Sequence, residues 1–186
     1  AEEDHRYPFA GMPNARVRLG VVPAAGGDDA VWMDLGPDAD VYLARVAWFP
    51  DGTLAVQMLD RAQSELRLLR CDPATGAATL LLRESSGVWI NLHDMFRPLE
   101  KGAGDLAGAF LWASERTGFR HLEIRARDGS LLRVLGEGEW MVDAVCAVDE
   151  TAGTVWFTAT RDGATEQHLY SVSLGGGDIR RVTPEH

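Results

Sequence analysis

His93-Asp94 sets an imidazole beside a carboxylate, the two groups that a general-base relay uses to draw a proton from a nucleophile. Such a relay is assembled from distant segments, so adjacency along the chain does not supply its geometry. A serine nucleophile of this class sits in a Gly-x-Ser-x-Gly elbow, and no such motif occurs in the 186 residues. No catalytic residue is therefore assigned, and acyl transfer by this chain alone is excluded. The simpler expectation is that Trp89, Asn91, His93 and Asp94 fix a loop by hydrogen bonds. The five histidines are scattered, without ligand-like spacing to a carboxylate cluster, so no metal and no other cofactor is expected. The two cysteines, Cys71 and Cys146, make no disulfide framework, and their apolar flanks predict two buried small hydrophobes.

These residues ride on a repeat of roughly fifty residues, the spacing of propeller blades. Alternating apolar residues predict strands over 43–49, 53–59, 65–70 and 78–83, with turns at Pro50-Asp51-Gly52 and over 72–76. The next unit has strands over 109–114, 119–126 and 131–135, with the turn Arg127-Asp128-Gly129. A third has strands over 142–148, 154–160, 167–173 and 179–182. Leu66, Leu122 and Leu169 occupy equivalent positions, as do Leu82, Leu135 and Val182. Strands over 16–22 and 30–35 read as the end of an earlier unit. The fold class expected is all-β, a partial β-propeller of about three and a half four-stranded antiparallel blades. Its parts are 1–36 (end of one blade), 42–84 (a blade), 85–136 (a blade with an insert) and 139–184 (a blade). Gly102, Gly104 and Gly108 predict a mobile loop over 99–108. Trp32, Trp48, Trp112, Trp140 and Trp156 lie in or beside strands and are expected in the core. Arg116-Thr117-Gly118 and Arg161-Asp162-Gly163 read as turns with solvated charges. An unclosed arc leaves strand edges open, which predicts a homodimer by edge pairing.

Composition narrows the classes. A hydrophobic share of 46% supports a core, and 25% charged residues suits a soluble globular chain. The net charge of −10 repels phosphate backbones, so nucleic acid is not an expected partner, and it mildly favours cationic ligands such as a peptide amino terminus. No apolar run reaches membrane-spanning length, so no membrane segment is expected. The chain starts at Ala1 rather than Met and shows no signal peptide, which reads as a processed or excised piece.

Ordered blocks between the strands carry a family resemblance. Arg6-Tyr7-Pro8 with Gly11 and Pro13-Asn14, then Tyr42-Leu43-Ala44-Arg45, Leu59-Asp60-Arg61, Trp89-Ile90-Asn91-Leu92-His93-Asp94, Gly118-Phe119-Arg120-His121-Leu122 and Gly138-Glu139-Trp140 follow in order. Together they resemble the propeller region of the dipeptidyl peptidase IV family, in pattern nearest to dipeptidyl peptidases 8 and 9 and their bacterial relatives. The resemblance covers nearly the whole chain, with Phe9 where the family often has Lys. It implies an eight-bladed propeller capping an α/β-hydrolase domain in a proline-specific serine exopeptidase of the prolyl oligopeptidase clan. The implied substrates are peptides with N-terminal Xaa-Pro or Xaa-Ala, and the implied partner is the catalytic domain that this chain lacks. The family's glutamate pair for the peptide amino terminus lies upstream of the Tyr-Pro block, and Glu2-Glu3 is not mapped onto it. Phe96-Arg97-Pro98 resembles a Phe-Arg-Pro stretch whose Phe and Arg line the outer substrate pocket, so Phe96 and Arg97 are the implied substrate-binding residues, an aromatic face and a cation able to grip a peptide side chain and backbone. The competing expectation is an exposed loop whose Phe packs on a neighbouring blade. The alternatives are a non-enzymatic propeller that serves as a protein-interaction module, and a free-standing β-sandwich binding module.

Overall fold

Alternating apolar residues and tight turns build a chain of antiparallel hairpins in the computed structural model, which describes residues 9–27, 29–38 and 40–184. Arg6-Tyr7-Pro8 and Glu2-Glu3 lie outside the described residues. The architecture is all-β, and the described residues hold a single 3₁₀ turn, Gly104–Leu106. The chain divides into two units, one of residues up to Trp48 with Gly52–Ile90, the other of Phe49–Asp51 with Asn91–His186.

In the first unit β1 (Gly20–Val21) pairs with β2 (Val31–Trp32). The strands expected over 16–22 and 30–35 shorten to these two-residue ladders. A four-stranded meander follows, in the order β3 (Val41–Trp48), β4 (Leu54–Asp60), β5 (Glu65–Cys71) and β6 (Ala78–Ser85). Leu54 through Leu59 are all buried, so central strand β4 is covered on both faces. That explains its near-continuous apolar run, since a strand buried on both faces loses its polar alternation. Edge strand β3 carries a bulge between Leu43 and Arg45.

Side-chain acceptors close the turns. The Asp60 carboxylate accepts from the Ser64 and Glu65 amides at 2.7 and 2.8 Å and from Ser64 Oγ at 3.0 Å. These bonds, that of the Glu65 amide foremost, hold its pKa below the usual carboxylate value. Asp72 caps its own turn the same way, accepting from the Ala74 amide at 2.8 Å and Thr75 Oγ1 at 3.0 Å. The turn ends at Gly76, whose φ is +79° and whose carbonyl accepts the Asp34 amide at 2.8 Å. A Cβ there would stand 2.2 Å from the Trp32 carbonyl oxygen, so the site demands glycine twice over.

The second unit holds two meanders. One runs β7 (Arg97–Pro98), β8 (Phe110–Ser114), β9 (His121–Arg125) and β10 (Leu131–Val134). The other runs β11 (Val142–Asp149), β12 (Thr154–Ala159), β13 (His168–Ser173) and β14 (Arg180–Arg181). Strand β7 is absent from the sequence expectation. It has two residues and includes Pro98, which an edge strand tolerates because its missing N–H breaks no central ladder bond. One hydrophobic cluster draws on both sheets, including Leu111, Ile124, Trp140, Val155, Phe157 and Tyr170. Trp140, Phe157 and Tyr170 stack in sequence at centroid distances of 6.3 and 5.9 Å. The repeat is visible in the bonding, for Leu135 donates to Leu122 and Val182 donates to Leu169. In the first unit Leu82 pairs instead with Leu68.

Three expectations change. Trp112 and Trp140 are buried, but Trp32 and Trp48 are 49% and 56% exposed. Trp48 ends edge strand β3, and Trp32 has the Arg18 guanidinium over its ring at 3.7 Å. Cys71 is buried as expected, its thiol pushed up to about 11 by burial first and by the Asp34 carboxylate second. Cys146 is exposed, because it stands on edge strand β11, where only part of the strand is covered. The loop over 99–108 is anchored rather than free. Glu150 accepts the Glu100 and Lys101 amides at 2.9 and 2.6 Å, and Asp105 pairs with Arg133. No helix among the described residues is long and apolar enough to cross a membrane.

Gly76→Ala is expected to cost about 2–3 kcal/mol in urea denaturation, from strain plus backbone clash. Gly26→Ala, at a φ of +76° with nothing within 4 Å of its Cβ position, is expected to cost only about 1 kcal/mol. Equal losses would remove the Trp32 carbonyl as the cause.

Candidate functional site

The segment from Asn91 to Pro98 is built on histidine chemistry of a structural kind. His93 Nε2 lies 2.7 Å from the Ala113 carbonyl, and the Met95 amide donates to Nδ1 at 3.2 Å. Since Nδ1 accepts, Nε2 must carry the proton and donate, which fixes a neutral tautomer. Burial pulls the His93 pKa down to about 4, with the carbonyl contact opposing it. Asn91 Nδ2 donates to Glu115 at 2.9 Å, and Glu115 also receives the Arg120 guanidinium at 2.6 and 2.8 Å. The loop-fixing expectation for Asn91 and His93 is met, and His93 is no part of a relay.

The two implied substrate residues part company. Phe96 is buried, its ring 5.5 Å from both Phe49 and Phe110 and 6.3 Å from Trp112. Arg97 is exposed, and its Nη1 donates to the carbonyls of Phe96, at 2.8 Å, and Asp94. Arg97 lines a cleft of about 270 Å³ with His93, Asp94, Arg120 and Asp143. Two cations and two carboxylates there suit a polar chain such as a peptide backbone. Phe96 is absent from that lining and forms the aromatic floor under its neighbour's backbone.

A second cleft, about 470 Å³, is one the sequence reading missed. Ser114, Arg116, Phe119, His121, Glu123, Glu137 and Glu139 are among its lining residues. Glu123 is 2% exposed, yet charged and fully engaged. Arg116 Nε donates to one carboxylate oxygen at 2.6 Å, and Arg125 donates to the other at 2.6 and 2.9 Å. Arg116 is exposed as expected of a turn charge, and the buried carboxylate nonetheless captures its Nε. A signal existed in the alternation His121, Glu123, Arg125, three polar side chains on one face of a central strand. Among the described residues no group of three His, Cys, Asp or Glu side chains is placed to hold a metal ion.

Two outcomes test this geometry. The depressed His93 pKa means that the unfolded chain takes up a proton near 6.5 while the folded ring stays neutral. Its stability contribution is complete above about pH 6.5 and lost as pH falls toward 4. The loss is expected to be about 2 kcal/mol, discounted for partial solvent contact. His93→Gln flattens that part of the profile, and ring NMR should titrate near 4; a midpoint above 6 would refute the assignment. Glu123→Ala leaves two guanidiniums without their acceptor and is expected to cost about 3 kcal/mol in chemical denaturation. A loss under about 0.5 kcal/mol would mean the network is solvated.

Comparison with known proteins agrees with this architecture. A protein of Emericella nidulans named "Probable dipeptidyl peptidase 4" is 30% identical over 181 residues, covering 92% of this chain and 23% of the relative. Mouse dipeptidyl peptidase 8 is 28% identical over 242 residues, covering 97% of this chain and 27% of the relative. The crystal structure of Porphyromonas gingivalis dipeptidyl peptidase 4 superposes with a TM-score of 0.84 at 24% identity, over 97% of this chain and 25% of that one, which shows a shared fold. The chain spans about a quarter of the length of these relatives. The family model for the dipeptidyl peptidase IV (DPP IV) N-terminal region matches residues 1–186, and the chain belongs to that family.

Proposed function

We propose that this chain is the propeller part of a proline-specific serine dipeptidyl aminopeptidase, gating and shaping the substrate site for an α/β-hydrolase domain carried elsewhere in the protein. The family match along residues 1–186 carries the reading, supported by relatives named dipeptidyl peptidases. In this reading each four-stranded meander is one propeller blade, and the β1–β2 ladder is the end of an earlier one. The parts are then 1–36, 42–84, 85–136 and 139–184, about three and a half blades of a closed eight-bladed ring. The parent protein acts on peptides with N-terminal Xaa-Pro or Xaa-Ala, in a bacterial cytoplasm or periplasm.

Arg97 and Phe96 are the proposed substrate-side residues, with different roles. The Arg97 fork spends part of its donor set on the Asp94 and Phe96 carbonyls and turns the remainder to a peptide carbonyl or carboxylate. Phe96 holds that backbone in place through its aromatic contacts. The proposed assembly is a homodimer, by pairing of open strand edges.

The test is a dipeptide-release assay with chromogenic Xaa-Pro and Xaa-Ala substrates on the full-length gene product, with this chain as control. Cleavage by the first and silence from the second is expected, and silence from both would favour an interaction module. Arg97→Ala in the full-length protein is expected to raise KM about three- to tenfold with kcat changed less than about twofold, the sign of uniform binding. For the chain itself, light scattering is expected to give twice 20.3 kDa, and a monodisperse monomer would rule out edge pairing.

A further inference from the structure

Arg120 belongs to the Gly118–Leu122 block and directly precedes β9. Phe119 and His121 on either side of it line the larger cleft, whereas Arg120 lines the smaller one with Arg97. An extended chain turns successive side chains to opposite sides, which accounts for the split. The Arg120 carbonyl accepts the Val142 amide at 2.9 Å, and the next two residues of that strand, Asp143 and Ala144, also line the smaller cleft.

The Arg120 guanidinium is held in one pose. Its Nε and Nη2 both donate to Glu115 Oε1, at 2.8 and 2.6 Å, and Glu115 Oε2 accepts Asn91 Nδ2 at 2.9 Å. The Arg120 side chain is only 15% exposed, so solvent screens this pairing poorly. Glu115 engages one edge of the planar fork, and the other edge stays available to a second acceptor. Nη1 has no acceptor among the described residues.

The other polar groups of the cleft narrow the choice of ligand atom. His93 is bonded through both ring nitrogens and has nothing left to offer. Arg97 directs Nη1 to the Asp94 and Phe96 carbonyls, and its Nε and Nη2 are unclaimed among the described residues. Asp94 and Asp143 balance the two guanidiniums, so the lining exerts no net pull on a free anion. Donors in a balanced field suit neutral acceptors, the carbonyl oxygens of a peptide main chain.

We infer that Arg120 is a second substrate-side residue, its Nη1 donating to a main-chain carbonyl of the peptide that Arg97 engages, with Glu115 and Asn91 as its positioning residues, a role that rests on the peptidase reading of the parent protein.

The test uses the full-length gene product and a chromogenic Ala-Pro anilide. Arg120→Lys keeps a positive charge beside Glu115 but has no second edge, so it cannot serve Glu115 and the peptide together. It is expected to raise KM about tenfold, the loss of one charge-assisted hydrogen bond, with kcat changed less than about twofold. Glu115→Gln leaves Arg120 in place but loosens its pose, and is expected to raise KM about threefold. Urea denaturation checks that each variant is folded. An Arg120 that serves the fold alone gives the opposite pattern, because lysine preserves the ion pair and KM stays at the wild-type value. Wild-type KM in Arg120→Lys, beside a raised KM in Arg97→Ala, would overturn the inference and leave the peptidase reading standing. An unmoved KM in Glu115→Gln would remove the positioning role even where Arg120→Lys fails to fold. Silence of the wild-type protein would overturn the peptidase reading, and this role with it.

Discussion

Burial of the central strands on both faces is the constraint from which most other features follow. Strands β4, β8 and β9 are covered almost end to end. A strand in that position has no solvent face on which to park polar groups, so each polar side chain there must find a partner inside the protein. Glu123 meets this demand by drawing in two arginines, one from its own strand and one from the preceding turn. His93, in the loop that bonds to β8 at Ala113, is held through both ring nitrogens while burial disfavours its charge. His121 meets it only in part, for its Nε2 is buried without a hydrogen-bond partner.

The same constraint separates scaffolding from surface chemistry in the Asn91–Pro98 segment. The aromatic cluster of Phe49, Phe96, Phe110 and Trp112 secures the chain from below. Arg97, one residue on, points its donors at two carbonyls beside an open cleft. A rigid floor under a charged side chain is what positions a binding group without spending its entropy at the moment of binding. The loop that follows owes its order to Glu150 and the Asp105–Arg133 pair together with Leu99 and Leu106, which pack into the hydrophobic cluster.

Much of this was legible in the residues. Period-two alternation and Asp-bearing turns located the long strands, because side-chain direction alternates with backbone geometry wherever one face is buried. The Asn91–Asp94 block announced a hydrogen-bonded loop, and the equivalence of Leu122 with Leu169 survives as an identical backbone bond in two sheets. Strand β7 was not legible, since a two-residue ladder containing a proline has no periodicity to detect. The fate of Arg116 was not legible either, because its partner sits seven residues away on a strand whose burial had first to be known.

The sequence by itself determined the hairpin order, the turn chemistry and the family, all of which rest on local backbone preference and on ordered blocks of residues. Tertiary structure alone decided which polar groups are isolated from water. It buried Phe96 and left Arg97 exposed, buried Cys71 and exposed Cys146, and turned Glu123 into the centre of a charge cluster. Burial is set by what distant strands place over a residue, and that information is not carried by the residue's neighbours in the chain.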